Sequence, residues 1–312
     1  MDTTRRAALL GLGAAAASAG SLRATPAETS GYANVPGGKV FWRRIGEGPK
    51  TPLLALHGGP GAGHNYLLAL APLAVDRPLI LYDQLGCGKA DSPQDEKIYT
   101  IQRSVDELDA VRRALGLDRV VLYGHSWGAM LAIEYLCQGR GHGVQRLILA
   151  GALASTPQCV AGEQRLIAAM PNGAGARIHA LEAAGKTESP EYQALVQQFY
   201  DLHLCRVHPY PPDLAASFDV LSNSIAYRVM NGPNEFTITG VIKDWDRRAD
   251  LHRIGVPTLV TTGEFDEVTL DCHETIHRGV MGSKLVVFEG CSHMTMWERP
   301  GAYVAELGAF IA

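Results

Sequence analysis

The chain has 312 residues, 46% hydrophobic and 19% charged, enough apolar material to bury one large core. Its 28 basic and 32 acidic side chains leave a net charge of −4 without long runs of one sign. That balance gives no electrostatic footprint for nucleic acid, so small-molecule or peptide chemistry fits better.

The first residues read as an address. Thr4-Arg5-Arg6 precedes an Ala/Gly-rich apolar run from Ala7 to Leu22, followed by Arg23 and Thr25-Pro26-Ala27. A basic start, a short apolar stretch and small residues predict an export signal over residues 1–27. The adjacent arginines point to the twin-arginine route and a periplasmic destination. The run is too short and glycine-rich for a good membrane span, and no later stretch qualifies, so no stable membrane association is expected. Six cysteines (Cys87, Cys137, Cys159, Cys205, Cys272, Cys291) form no C-x-x-C pair, which argues against a structural zinc site and for buried free thiols.

Tyr32–Val35 and Lys39–Ile45 flank a Pro36-Gly37-Gly38 turn and predict a β-hairpin. Short apolar runs follow at Pro52–Leu56, Leu79–Tyr82, Arg119–Tyr123 and Gln145–Leu149, as for strands buried on both faces of a parallel sheet. Between them Ile101–Leu115 places Val105, Leu108 and Val111 on one helical face. The rhythm then breaks for roughly a hundred residues, far more than one crossover needs. Helix-like stretches at Gln158–Met170 and Tyr192–Cys205 mark residues 155–248 as an inserted helical cap. Alternation resumes with strand Pro257–Thr261, helix Cys272–Val280, strand Lys284–Phe288 and a last helix from Ala302. The core is therefore expected over 28–154 and 249–312.

Gly124-His125-Ser126-Trp127-Gly128 matches G-x-S-x-G between a strand and a helix. A serine at that sharp turn has a strained backbone and an exposed Oγ, and the crowding asks for glycine two residues either side. This context predicts an α/β-hydrolase fold: a doubly wound, mostly parallel sheet with a cap. Serine needs a base and the base an orienting acid. Asp266, after strand Pro257–Thr261, and His293, after strand Lys284–Phe288, arrive in the expected order at the expected sheet end. Glu264 is the alternative acid. His125, beside the nucleophile, is expected to point away and serve packing. In His57-Gly58-Gly59-Pro60-Gly61 the glycines let backbone amides approach a reacting carbonyl, so the N–H groups of Gly59 and Trp127 are the expected oxyanion donors, with Gly58 the lesser choice. No Lys-Ser/Thr closes that loop, which rules against a phosphate cradle. His273-Glu274-Thr275-Ile276-His277 spells H-E-x-x-H, but no third ligand is evident, and the helix is expected on the sheet's flank, away from the site. Neither a metal nor a cofactor is called for.

With these pieces in hand, the chain resembles the proline iminopeptidase family, including the aminopeptidases that interact with the tricorn protease. The resemblance rests on His57–Gly61, Tyr82-Asp83-Gln84-Leu85-Gly86-Cys87-Gly88, Gly124–Gly128, Gly263–Val268 and Cys291–Glu298, and in the cap on Asn231–Phe236 and Lys243–Asp246. One departure is Gly128-Ala129 where the family more commonly has two glycines. The resemblance implies release of an amino-terminal residue, often proline, from a small peptide or amino-acid amide. It also implies that two glutamates, corresponding to Glu235 and Glu267, hold the substrate's free amine, as a charge in a dry site requires. The competing readings are an esterase, lactonase or amidase with no free-amine requirement, and a ligand-binding receptor built on the same fold.

Overall fold

Residues 27–312 are described by a computed structural model, so the leader expected at 1–27 lies, but for its last residue, outside the described residues. The first two strands, β1 (Glu28–Val35) and β2 (Gly38–Ile45), form the hairpin, with Val35 paired to Gly38 across the turn. The remaining strands are β3 (Leu53–Leu56), β4 (Leu79–Tyr82), β5 (Val120–His125), β6 (Val144–Ala150), β7 (Thr258–Gly263) and β8 (Lys284–Phe288). All eight join one sheet in the order β1-β2-β4-β3-β5-β6-β7-β8. Strand β2 runs antiparallel to β1 and β4, and every other neighbouring pair is parallel.

Strands β3, β4 and β5 bury every residue, because helices cover both faces. The period of two sorts their side chains between those faces. Leu54 and Leu56 join one core with Val105, Leu131 and Ile276, whereas Leu53 and Ala55 join another with Leu67, Leu70 and Leu307. The first core is built by α1 (Ile101–Ala114), α2 (Trp127–Cys137) and, beyond the insertion, α8 (Leu270–Gly279). The second is covered by the 3₁₀ segment Asn65–Leu73 and the closing α10 (Pro300–Ile311), which follows the short α9 (Thr295–Glu298). Strand β8 departs from the fully buried pattern, mixing exposed and half-buried residues, because it is the sheet's edge with a single strand neighbour.

Between β6 and β7 stand α3 (Thr156–Ala168), α4 (Ala174–Ala183), α5 (Pro190–His203), α6 (Pro212–Ser222) and α7 (Ile225–Met230). Helices α3, α4 and α5 enclose, with Phe236, a core of their own around Ile167, Ile178 and Phe199, whereas Leu214 of α6 and Met230 of α7 join the two sheet cores. Helix α3 starts two residues before the predicted Gln158 because Ser155 caps it, accepting from the Gln158 amide. The ends of this segment meet: Ser155 bridges Asp246, and Glu134 on α2 accepts from the Trp245 indole at 2.8 Å and from Arg247 at 2.6 Å. At the far side, the C-terminus of α5 is fastened to two sheet-edge loops. The His203 carbonyl accepts from the amides of Glu267 (3.2 Å) and His293 (3.1 Å), and the Leu204 carbonyl accepts from Met294 (3.0 Å). All six cysteines are buried and none is paired in a disulfide.

Candidate active site

Ser126 sits between the end of β5 and the first turn of α2 with φ 55° and ψ −123°, a positive φ that non-glycine residues seldom adopt. The crowding explains both flanking glycines. A Cβ on Gly124 would stand 2.3 Å from the Gly128 oxygen, and one on Gly128 would stand 2.2 Å from the Leu56 oxygen.

The loops after β7 and β8 bring the other two candidate residues together. His293 Nδ1 lies 2.7 Å from Asp266 Oδ1, which also accepts from the Val268 amide at 2.9 Å, while Oδ2 accepts from Thr262 Oγ1 at 3.1 Å. Burial works against an ionised Asp266, but the neighbouring His293 and the Val268 amide hold its carboxyl below the ordinary value. Burial likewise works against charged His293, but Asp266 outweighs it and raises the imidazole above its usual value. Ser126 and His293 line one small inner cavity of about 30 Å³. Glu264 is not part of this group: it is exposed, and its carboxylate accepts the Gly290 amide at 2.9 Å.

On the opposite wall, Gly58 donates its amide to Tyr66 Oη at 2.7 Å, which leaves Gly59 as the open amide of that loop. Trp127 is the first residue of α2, so its N–H has no carbonyl one turn back to satisfy it. One buried amide ties the two donor segments together. Gln84 accepts from the Trp127 indole at 2.9 Å and donates to the His57 carbonyl at 2.9 Å, while its own N–H donates to His57 Nε2 at 3.0 Å. Burial lowers His57 to about 4, which keeps that nitrogen an acceptor.

The third wall is acidic. Glu235 and Glu267 both line the inner cavity. Glu235 accepts from Tyr227 Oη at 2.8 Å, and Glu267 Oε1 stands 3.7 Å from His293 Nε2. Glu267 Oε2 is buried with no hydrogen-bond partner. Burial raises both carboxyls; for Glu267 the neighbouring Glu235, Glu163 and Asp266 add to it. Glu163, on α3, is a third buried acid of this region and is raised well above its usual value, again by burial first and Glu235 second. The remaining walls are apolar, with Leu204, Phe218, Leu221 and Met294. Glu235, Leu204, Phe218 and Leu221 also border an adjoining cavity of about 990 Å³ that opens among helices α5, α6 and α7.

Two expectations need correction. The His125 ring does not point away: it lines the inner cavity, with its centroid 4.5 Å from that of His293. It is the last residue of β5, so the period of two places it on the same face as Val121 and Tyr123, where Tyr66 also packs. Nor is the H-E-x-x-H helix remote. His273 is buried and kept neutral by that burial, close to the site because α8 begins four residues past Asp266. Both its ring nitrogens are engaged, by the Ala152 amide at 2.9 Å and the Thr269 carbonyl at 3.2 Å, so it serves as a structural bracket. His277 meets Ser283 on the surface instead. No set of three or more metal-ligating side chains converges among the described residues.

Sequence reasoning did not single out Tyr66, Gln84 or Glu163. Gln84 lies within the Tyr82–Gly88 motif; the other two carry no local signal.

The alpha/beta hydrolase fold family matches residues 51–300. The proline iminopeptidase of Thermoplasma volcanium is 43% identical over 284 residues, covering 90% of this chain and 96% of the relative. That of Saccharolobus solfataricus is 40% identical over 285 residues, covering 90% and 91%. Among solved structures, the proline iminopeptidase of Mycobacterium smegmatis superposes with a TM-score of 0.85 at 33% identity, covering 91% of this chain and 97% of that one.

Proposed function

The chain belongs to the alpha/beta hydrolase fold family and, within it, to the proline iminopeptidases, and from that premise we propose that it releases an amino-terminal residue from small peptides or amino-acid amides through an acyl-enzyme at Ser126. His293, oriented by Asp266, takes the Ser126 proton as Oγ attacks the first carbonyl carbon. The amides of Gly59 and Trp127 hold the oxyanion. His293 Nε2 then protonates the departing amine, leaving an ester on Ser126. Water, losing its proton to the same nitrogen, attacks the ester carbonyl; the bond to Ser126 Oγ breaks, His293 returns the proton to that oxygen, and the amino acid is freed. Metal and cofactor have no part in these steps.

One observation carries the exopeptidase reading. Glu235 and Glu267 face the cavity of Ser126 and His293, and neither forms a salt bridge with lysine or arginine among the described residues. A buried acid with no cation beside it is costly to ionise, and an incoming ammonium would favour its charged form. A substrate ammonium placed there would set the first carbonyl over Ser126, turning specificity for the chain end into a distance. A prolyl nitrogen has two N–H donors, one for each carboxylate, and the confined apolar walls favour a compact residue. The large adjoining cavity leaves room for the rest of the substrate.

Prolyl and alanyl anilides, their N-acetylated forms and a simple ester test this reading. Glu235→Gln and Glu267→Gln are each expected to lower kcat/KM on free-amine anilides by about 10²-fold and on the ester by less than about threefold. Equal losses on both substrate types would point instead to an esterase or amidase without an amine requirement. We read residues 155–248 as the cap over this site. We read 1–27 as a twin-arginine leader: fractionated cells should hold the protein in the periplasm and retain it in the cytoplasm when Arg5 and Arg6 are both changed to Lys.

A further inference from the structure

Three contacts link His125 to both sides of the nucleophile. Its Nε2 lies 3.1 Å from the His293 main-chain oxygen and its Nδ1 3.0 Å from Tyr66 Oη, which is itself 2.7 Å from the Gly58 nitrogen. Donor and acceptor chemistry gives this chain a single direction. A carbonyl only accepts, so His125 Nε2 carries the ring proton. The lone pair of the neutral imidazole then sits on Nδ1, where the Tyr66 hydroxyl must donate. The phenol oxygen is left to accept from Gly58. Burial, with His293 close by, lowers His125 to about 3, so the ring keeps this neutral form at any working pH. Tyr66 and His125 are each only 1% exposed, out of competition with water.

We propose that Tyr66 and His125 are positioning residues for acyl transfer, forming a one-directional strap that joins the loop of the Gly59 amide to the loop of His293. The strap has two effects. It fixes the spacing between the oxyanion donors and the base, across segments that no backbone hydrogen bond joins directly. It also occupies the Gly58 amide, so the oxyanion is received at Gly59. Packing alone would ask only for ring volume at these two positions, and phenylalanine would supply it. This inference rests on the acyl-enzyme reading above.

The test uses Tyr66→Phe, His125→Phe, their combination and His125→Gln in the full chain, with active sites counted by fluorophosphonate labelling. A displacement of about 1 Å in a catalytic group costs on the order of 10²-fold. Each Phe variant is accordingly expected to lose about 10- to 100-fold in kcat with KM within about twofold. Once the strap is cut, a second cut adds little, so the double variant should fall within about threefold of the weaker single. Glutamine can put an N–H where His125 Nε2 stands, and His125→Gln is expected to recover at least about threefold over His125→Phe. Multiplying losses in the double variant, a loss confined to KM, or Phe variants within about twofold of the parent kcat would overturn the strap. If Tyr66→Phe lacks a cooperative melting transition, the two His125 variants decide: equal kcat overturns it. A parent protein that fluorophosphonate does not label at Ser126 would instead refute the acyl-enzyme reading.

Discussion

The two sides of the inner cavity differ in how far the protein's own groups satisfy them. Around Ser126 polar groups are joined in closed chains: Gln84 links Trp127 to His57, Tyr66 and His125 link Gly58 to His293, and Asp266 holds the far nitrogen of His293. Around Glu235 and Glu267 the accounting stays open, with no protein partner among the described residues for one buried carboxyl oxygen of Glu267 and one of Glu163. The contrast separates two tasks. Groups that stabilise developing charge work best when nothing must reorganise, so their surroundings are complete beforehand. Groups that capture a ligand are better left without a protein partner, so that the ligand can supply it.

If that division is right, damage to the closed side should be blind to substrate, whereas damage to the open side should discriminate. The largest effect is expected from Ser126→Ala, a loss on the order of 10⁶-fold in kcat on anilides and esters alike with the melting temperature little changed. Near-normal turnover by that variant would remove the nucleophile from the scheme. Asp266→Asn should cost about 10⁴-fold on both substrate types. It should also move the pH profile. The reaction needs neutral His293, and Asp266 raises its pKa, so kcat/KM should climb with pH through a midpoint above the ordinary imidazole value of about 6.5. Without the carboxylate, burial dominates and the midpoint should fall below that of the parent; an unmoved midpoint would mean that another group sets the limb. The smallest effect is expected from Glu264→Gln, within about twofold on every substrate, since that exposed acid holds only the Gly290 amide. A loss as large as that of Asp266→Asn would reassign the orienting acid.

The sheet and the elbow were legible in the sequence because their signals are local. Continuous apolar runs mark strands β3 to β5, and Ser126 between two glycines marks the turn whose crowding demands them. That Asp266 and His293 would meet could be anticipated because the fold fixes which loops share one end of the sheet. The supporting parts were harder to read. Tyr66 lies in a 3₁₀ segment without amphipathic period, and Glu163 resembles any helical acid until α3 is packed against the loop that follows β7. His125 was misread for a subtler reason. The strained turn draws the eye to Ser126, yet the residue before it still obeys strand alternation and falls on the face that Tyr66 covers.

The double acceptance at the His203 carbonyl carries one last implication for how this architecture evolves and can be engineered. Because a single oxygen at the end of α5 holds the peptide units of both Glu267 and His293, any displacement of that helix end would also loosen the two loops beneath it. The large cavity among the helices offers a route to the site that leaves this fastening intact. A transplanted insertion would therefore have to bring an equivalent carbonyl to the same spot, or the recipient scaffold would inherit new walls around an unfastened base.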